Sequence, residues 1–126
     1  MPNQQSILLV DDDELIRDLY SEVLTDANFH VDAAKDGKEG LEMMKKGGYD
    51  VVLLDLIMPE LDGVTVLRKF RDAEVKNANR HIIVLTNLDF QPTLEEAMEL
   101  GAESYLIKSA HTPDEVVQQV AAMAKG

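Results

Sequence analysis

The sequence predicts an α/β fold in which a five-stranded parallel sheet has helices on both faces. Apolar runs of strand length recur along the chain, segments with a helical period separate them, and capping residues lie at the boundaries. The runs are too continuous for one face to lie in water, which is typical of parallel strands buried on both sides. Because each parallel crossover is right-handed and needs a covering helix, this alternation predicts one sheet between two layers of helices.

Four of the five predicted strands are the apolar runs at residues 7–10, 51–54, 82–85 and 105–107. In the second strand of the chain, at 29–33, apolar and polar residues alternate, as expected of a half-exposed strand at the edge of a sheet. An edge position for this strand leads to the order 2-1-3-4-5, the flavodoxin-like, doubly wound arrangement. Ligands of such sheets bind outside the carboxyl ends of the strands, here at the switch point between strands one and three.

Five helices are predicted from apolar residues at helical spacing. In the first helix, Leu15, Ile16, Leu19 and Val23 form the expected buried face. The corresponding residues of the other four helices are Leu41 and Met44; Val64, Leu67 and Phe70; Leu94, Ala97 and Met98; and Val116, Val117, Val120 and Ala121.

Capping residues agree with these periods. Asp36 with Glu39 and Thr112 with Glu115 are predicted capping boxes, in which each side chain binds the backbone N–H of the other residue. Residues 77–80 are a predicted polar loop. Local signals therefore support the same alternation as the apolar periods.

Length and composition limit the class of protein. The chain has 126 residues, of which 45% are apolar, so a single domain over residues 1–126 can bury one substantial core. No cysteine occurs, which excludes disulfides, thiolate catalysis and cysteine-ligated metal sites. Neither a transmembrane segment nor a secretory signal is recognised, so we expect a cytoplasmic protein. The formal charge of −12 repels nucleic acid and anionic membranes and favours cations or basic partner surfaces.

Polar residues follow the buried strands at the point where each one ends. Asp11 and Asp12 follow the first strand, Asp55 the third, Thr86 the fourth and Lys108 the fifth. Since the carboxyl ends of parallel strands share one edge, three carboxylates, a hydroxyl and an ammonium should meet there. Carboxylates about 4 Å apart repel by about 4 kcal/mol at an effective dielectric constant of about 20, so a cation should offset this cost. Mg2+ prefers such oxygen ligands and commonly bridges to phosphate.

Phosphoryl transfer is the chemistry that fits these groups. A carboxylate can attack phosphorus, and the transfer needs positioning plus positive charge around the equatorial oxygens. Asp55 is the candidate nucleophile, because it stands alone at the end of a central strand. Mg2+ held by Asp11 and Asp12 would neutralise one side of the phosphoryl group. Lys108 and the Thr86 hydroxyl would contact its other oxygens.

Four segments of the chain resemble the receiver domains of two-component response regulators, of the single-domain chemotaxis type. They are ILLVDDD, VVLLDLIMPELDG, IIVLTN and GAESYLIK, which occur in order and at the family spacing. The resemblance implies that Asp55 accepts a phosphoryl group from a phosphohistidine on a sensor histidine kinase or a histidine phosphotransfer protein. It also implies a Mg2+ site made by the side chains of Asp12 and Asp55, the backbone carbonyl of Ile57 and, largely through water, Asp11.

The resemblance implies an output as well. The Thr86 hydroxyl moves toward the phosphoryl group and the Tyr105 ring follows into the vacated space, a two-state change driven by a local charge. This reshapes the surface of the fourth helix, fifth strand and fifth helix, which we expect to bind a downstream target protein. We expect a monomer or a phosphorylation-dependent dimer that catalyses its own phosphorylation and slow dephosphorylation rather than conventional turnover.

The sequence departs from the family pattern near the site. Ser109 replaces the usual proline after the lysine, and Asn87 replaces a usually smaller residue after the threonine, so loop geometry, access and switching are expected to differ. Ile57 and Leu88 lie at positions that tune dephosphorylation in the family. Both are apolar and cannot orient an attacking water, so we expect a long-lived phosphoryl group.

Other interpretations stay open at the level of sequence. Asp12 and Asp13 could serve only to cap the first helix, and Tyr105 could serve only to pack the edge strand. A haloacid-dehalogenase-like phosphohydrolase would use Asp11 and Asp13 as nucleophile and general acid, although it leaves Asp55 in the wrong strand. A binding module that keeps the fold but is never phosphorylated is a further alternative, against which the complete acidic and lysine positions argue.

Overall fold

In the described part of the chain, five strands alternate with five α-helices. The computed structural model describes residues 4–75 and 79–125, so much of the predicted polar loop at 77–80 lies outside the described residues. The strands are β1 (Ser6–Val10), β2 (His30–Ala34), β3 (Val51–Leu54), β4 (His81–Thr86) and β5 (Ser104–Ile107). The helices are α1 (Glu14–Asp26), α2 (Gly37–Lys46), α3 (Gly63–Asp72), α4 (Gln91–Glu99) and α5 (Pro113–Ala124), with a short 3-10 helix at Lys108–Ala110. None of the described helices has the length and apolar character that a membrane span requires.

All five strands run parallel in the order β2-β1-β3-β4-β5, so the predicted flavodoxin-like topology is confirmed. Strands β1 and β3 are neighbours, and Val10 at the end of β1 is paired with Leu54 at the end of β3. The residues that follow, Asp11 and Asp55, therefore leave the sheet side by side. This register places the acidic segments together at the switch point.

The core consists of two clusters, one on each face of the sheet. Because successive residues of a strand point to opposite faces, Leu8 and Val10 belong to one cluster and Ile7 and Leu9 to the other. The first cluster includes side chains of α2, α3 and α4, and the second includes side chains of α1 and α5. We call them the α2–α4 cluster and the α1–α5 cluster. Burial on both faces explains why β1, β3 and β4 are continuously apolar. The prediction that β5 is covered on both faces is wrong, because β5 is an edge strand and its Tyr105 is 38% exposed.

The predicted buried face of α1 is wrong in part. Leu15 is 80% exposed and Leu19 is 41% exposed, whereas Tyr20 and Leu24 are buried and Ile16 packs partly against the α1–α5 cluster. Residues 16, 20 and 24 form a stripe at i+4 spacing, and the stripe that begins at residue 15 is rotated from it by about 100°. The helical period is therefore right, and Ile16 and Val23 of the predicted face pack against the α1–α5 cluster, but the buried residues are Tyr20 and Leu24 rather than Leu15 and Leu19.

Two further residues predicted to be buried are exposed. Ala33 of β2 is exposed, and its neighbour Ala34 is buried in the α2–α4 cluster instead. In α4, Leu94 and Ala97 are buried as predicted, but Met98 is 37% exposed. Ala33 and Ala34 are successive residues of a strand and point to opposite faces, so the end of β2 is covered on the face of the α2–α4 cluster.

The capping predictions are confirmed for one helix and half confirmed for another. At α5, the Glu115 N–H donates to Thr112 Oγ1 at 3.2 Å and the Thr112 N–H donates to Glu115 Oε1 at 2.8 Å. The bond from the Thr112 backbone holds the pKa of the Glu115 carboxyl below its ordinary value. At α2, the Glu39 N–H donates to Asp36 Oδ1 at 2.8 Å, but Glu39 Oε1 accepts the N–H of Lys35 at 3.1 Å, one residue before the expected donor.

Candidate functional site

The buried polar side chains lie at one edge of the sheet. Among the described residues they are Asp11, 1% exposed, Asp55, 7% exposed, and Thr86, 0% exposed. Asp11 follows β1, Asp55 follows β3 and Thr86 ends β4, so all three lie at the carboxyl ends of neighbouring strands. Burial of charge is costly unless a partner compensates it. Their position at the switch point therefore marks a candidate site.

Backbone hydrogen bonds extend the sheet by one residue to hold the two carboxylates. The Asp11 N–H donates to the Ala34 carbonyl at 3.2 Å, and the Asp55 N–H donates to the Val10 carbonyl at 3.0 Å. Arg17 Nη1 donates to the Asp11 carbonyl at 2.9 Å. Sequence reasoning missed Arg17, although its place one turn into α1 lets a long side chain reach back to the end of β1.

The turn before α3 lies close behind Asp55. A side chain at Gly63 would collide with the Asp55 carbonyl oxygen and the Leu56 backbone, so only glycine lets α3 begin there. Asp62 caps the helix, since its Oδ1 accepts the Thr65 N–H at 2.8 Å. The start of α3 thus packs directly against the backbone of Asp55 and Leu56.

Lys108 connects two of the acidic side chains. Its Nζ donates to Asp11 Oδ2 at 2.5 Å and to Asp55 Oδ2 at 3.0 Å, and its side chain is 10% exposed. Burial alone would lower the pKa of this ammonium, but the two carboxylates outweigh burial and raise its pKa. Burial raises the pKa of the Asp11 carboxyl, and bonds from Lys108 and the Asp13 backbone oppose it only in part. The ammonium therefore stays charged, while the charge on Asp11 is incompletely compensated.

The three predicted carboxylates converge. Asp11, Asp12 and Asp55 each offer an oxygen, and these oxygens all lie within 4.8 Å of one another. Asp12 is exposed, so the cluster opens to solvent, and the Ile57 N–H donates to Asp55 Oδ1 at 3.1 Å. Oxygen donors of net negative charge fit Mg2+, which keeps several of its waters in such sites. The pocket has a volume of about 360 Å³ and is lined by Asp11, Asp12, Asp13, Ile16, Asp55, Ile57, Asn87 and Lys108.

Asp13 has the structural role that sequence analysis left open. Its Oδ1 accepts the N–H groups of Leu15 at 2.9 Å and Ile16 at 3.3 Å, which makes it the N-cap of α1. The cap is therefore Asp13 rather than Asp12.

The two predicted switch residues lie on adjacent strands. Thr86 Oγ1 accepts the Leu88 N–H at 3.2 Å. Tyr105 lies on β5, two residues before Ile107, which is the register partner of Thr86, and its side chain is 38% exposed. The hydroxyl is thus fully buried behind the site, and the ring lies at the edge of the sheet.

Comparisons with known proteins identify the family to which this α/β domain belongs. The chain belongs to the response regulator receiver domain family, whose model matches residues 7–121. The resemblance to receiver domains that the sequence motifs predict is confirmed.

Individual relatives agree with this membership. The chain is 35% identical over 119 residues to the transcriptional regulatory protein SrrA of Staphylococcus aureus, a match that covers 94% of this chain and 47% of that protein. The chain thus spans about half the length of the curated relatives it matches. The receiver domain of Francisella response regulator 1452 is 30% identical, with a TM-score of 0.83 and coverage of 97% of this chain and 98% of that one. TrrA from Thermotoga maritima, solved in complex with Mg2+-BeF, is 32% identical, with a TM-score of 0.80 and coverage of 95% and 99%.

Proposed function

We propose that the domain is a two-component phosphoacceptor in which Asp55 takes a phosphoryl group from a phosphohistidine. The donor would be a sensor histidine kinase or a histidine phosphotransfer protein. The observation that carries this proposal is the convergence of oxygens from Asp55, Asp11 and Asp12 within 4.8 Å, with Lys108 Nζ 3.0 Å from Asp55. A carboxylate with a cation site on one side and an ammonium on the other has what phosphoryl transfer needs.

We assign Mg2+ to this site. The side chains of Asp12 and Asp55 and the backbone carbonyl of Ile57 would hold the ion, with Asp11 reached largely through water. The oxygen-only donor set and the excess of negative charge support this choice. When bound, Mg2+ neutralises charge on the phosphoryl oxygens.

Asp55 is the proposed nucleophile. A carboxylate oxygen forms a new O–P bond while the N–P bond of the phosphohistidine breaks, and the electron pair of that bond leaves with the imidazole nitrogen. Lys108, whose raised pKa keeps it charged, already bonds Asp55 and can move to a transferred oxygen. The Thr86 hydroxyl accepts a bond from the Leu88 N–H, which leaves its own hydrogen available to donate to the phosphoryl group.

The proposed output is a change in the surface formed by α4, β5 and α5. Thr86 would move toward the phosphoryl group and the Tyr105 ring would follow. Exposed apolar side chains on or beside this surface support a docking role: Phe90 is 59% exposed, Tyr105 38% and Met98 37%. The occupant would be a downstream target protein or, in a phosphorylation-dependent dimer, a second copy of the chain.

Proteins rather than nucleic acids are the proposed partners of this domain. SrrA is described as a transcriptional regulatory protein, but the match covers 47% of it, so contacts with DNA in that protein need not involve the matched half. The formal charge of −12 disfavours contact with phosphate backbones.

A long-lived phosphoryl group is part of the proposal. The Ile57 side chain is 56% exposed and lines the acidic pocket, while Leu88 packs against the α2–α4 cluster. Neither side chain can hold an attacking water by a hydrogen bond. The domain would therefore catalyse its own phosphorylation and only slow dephosphorylation.

Labelling by a small acyl-phosphate donor tests the proposal. With acetyl phosphate and Mg2+, the wild-type protein should acquire one phosphoryl group on Asp55, located by peptide mass spectrometry. Asp55→Asn should acquire none. Asp50→Asn neutralises the aspartate at the opposite end of β3 and is the matched control, which should be labelled like the wild type.

Different outcomes of the same experiment would favour the alternatives. Multiple turnover of the donor with the label on Asp11 would favour a phosphohydrolase, although the capping role of Asp13 argues against it. A binding module that is never phosphorylated would show no label in any variant. For such a module, the wild-type protein would also bind Mg2+ no more tightly than the Asp55→Asn variant does.

A further inference from the structure

The two positions at which the loops of this chain depart from the family pattern meet in the structure. The Ser109 backbone N–H donates a hydrogen bond to Asn87 Oδ1, and the two atoms are 2.8 Å apart. These residues are 22 positions apart in the chain and lie after β5 and β4 respectively. A proline at position 109 has no N–H, so this bond requires another residue there.

Each end of this bond adjoins a residue of the phosphoryl site. Asn87 directly follows Thr86 and lines the acidic pocket, and Ser109 directly follows Lys108 in the 3-10 helix. The Lys108 side chain is 10% exposed and bonds two carboxylates, so its reach depends on where this helix is held. A bond between the two loops therefore fixes the position of Lys108 relative to that of Thr86.

The chemistry of the bond also fixes the orientation of the Asn87 side chain. The backbone N–H at 109 can only donate, and a carboxamide accepts through its oxygen alone. An alanine at position 87 offers no acceptor. The bond is therefore a contact that depends on both residues, and it can be removed from either side.

We propose that Asn87 is a positioning residue of the phosphoryl site, which holds the Lys108 loop through the Ser109 N–H. This inference rests on the proposed function of Asp55. Through this bond, the position of the Lys108 ammonium is coupled to that of the Thr86 hydroxyl, so that both are in place to contact the phosphoryl group. Loss of one neutral hydrogen bond that positions these groups should slow the labelling of Asp55 about fivefold.

The test uses four proteins: Ser109→Ala, Ser109→Pro, and each of these combined with Asn87→Ala. Ser109→Ala keeps the N–H and is the matched control for Ser109→Pro. The initial rate of Asp55 labelling by acetyl phosphate is measured at saturating Mg2+. We expect Asn87→Ala to slow labelling about fivefold more in the Ser109→Ala background than in the Ser109→Pro background.

Two other effects of these substitutions cancel when the two backgrounds are compared. Any wider access to the pocket after Asn87→Ala is the same in both backgrounds. The restriction that proline imposes on the backbone of Lys108 is the same in both proteins of its pair. Equal effects of Asn87→Ala in the two backgrounds would overturn the proposal.

Amide hydrogen exchange gives a second measurement that needs no phosphoryl donor. In the Ser109→Ala background, Asn87→Ala should accelerate exchange at the residue 109 amide about fivefold, since the N–H loses its acceptor. Unchanged exchange would overturn the positioning role even if Asp55 proved not to be labelled. Absence of label on the wild-type protein, by contrast, would overturn the proposed function of Asp55.

Discussion

The amino and carboxyl edges of the sheet differ in how their carboxylates are paired with basic side chains. At the amino edge, Asp50 precedes β3, accepts the Ser6 N–H at 2.8 Å and pairs with Arg80 at 3.2 Å. His81, at the start of β4, lies 2.8 Å from Glu103, which precedes β5. Asp50 and Glu103 therefore each lie beside a basic side chain.

At the carboxyl edge, three carboxylates lie together and one ammonium bonds two of them. The oxygens of Asp11, Asp12 and Asp55 lie within 4.8 Å of one another, and Lys108 bonds two of these residues. Strand β3 thus has Asp50 before it, which pairs with Arg80, and Asp55 after it, which shares Lys108 with Asp11. We call the amino edge, with its two paired carboxylates, the balanced edge, and the carboxyl edge, where three carboxylates meet one ammonium, the unbalanced edge. The carboxyl edge therefore carries an electrostatic cost that a cation can relieve, which is typical of a functional site.

Removal of the ammonium from the unbalanced edge should have the largest effect. In Lys108→Ala, labelling of Asp55 should fall about 100-fold, because the transferred oxygens lose a positioned positive charge. Mg2+ binding should persist, since no metal ligand is removed. Labelling rates at saturating Mg2+ and calorimetric titration measure the two properties. Arg80→Ala removes a cation from the balanced edge, and an equal fall in its labelling rate would contradict the comparison.

A polar side chain at the mouth of the acidic pocket should shorten the life of the phosphoryl group. In Ile57→Asn, the phosphoryl group should be lost about tenfold faster, because the amide can orient an attacking water. Loss of label after removal of the donor measures this rate. Phe90→Asn is a matched control, since Phe90 is 59% exposed and Ile57 is 56% exposed. Unchanged decay in Ile57→Asn would show that access of water does not limit the reaction.

The pH dependence of stability should reveal the uncompensated carboxylate. Burial raises the folded-state pKa of Asp11, so its contribution to stability is present below the unfolded value of 3.8 and is lost as pH rises through the folded value. Relative to Asp11→Asn, the metal-free wild type should therefore lose unfolding free energy as pH rises above about 4. Urea unfolding with a chelator present measures the difference, and a slope of opposite sign would contradict it.

The balanced edge should be nearly insensitive to a similar change. Asp50→Asn should cost about 0.5 kcal/mol of unfolding free energy, because its partner Arg80 is partly exposed and the amide oxygen can still accept the Ser6 N–H. Urea unfolding at low and high salt checks this value. A loss above about 2 kcal/mol would mean that the amino edge depends on its charges as strongly as a buried network does.

Much of the fold and of the acidic site could be predicted because their signals are local. Continuous apolar runs mark the buried strands, and the residue after each run lies at the carboxyl edge whatever its distance along the chain. Asp55 and Lys108 are 53 positions apart and still bond, since parallel topology brings their strand ends together. To predict that these residues meet, it was enough to know the order of the parallel strands.

The features that were missed depend on packing rather than period. Nothing in the spacing of Leu15 and Leu19 sets the phase of the α1 stripe, which is decided by what the helix covers. The bond between Asn87 and Ser109 joins two loops, which have no periodic pattern to extrapolate. Both residues depart from the family pattern, but nothing in their spacing indicates that they are in contact.

Calorimetric titration with Mg2+ tests the central claim, that the unbalanced edge is a divalent-cation site built around Asp55, most directly. The wild type and Asp50→Asn should each bind one ion with the same Kd, and Asp55→Asn should bind at least about tenfold more weakly, a difference of about 1.4 kcal/mol. Equal affinity in Asp55→Asn and the wild type, or a similar loss in Asp50→Asn, would contradict the account.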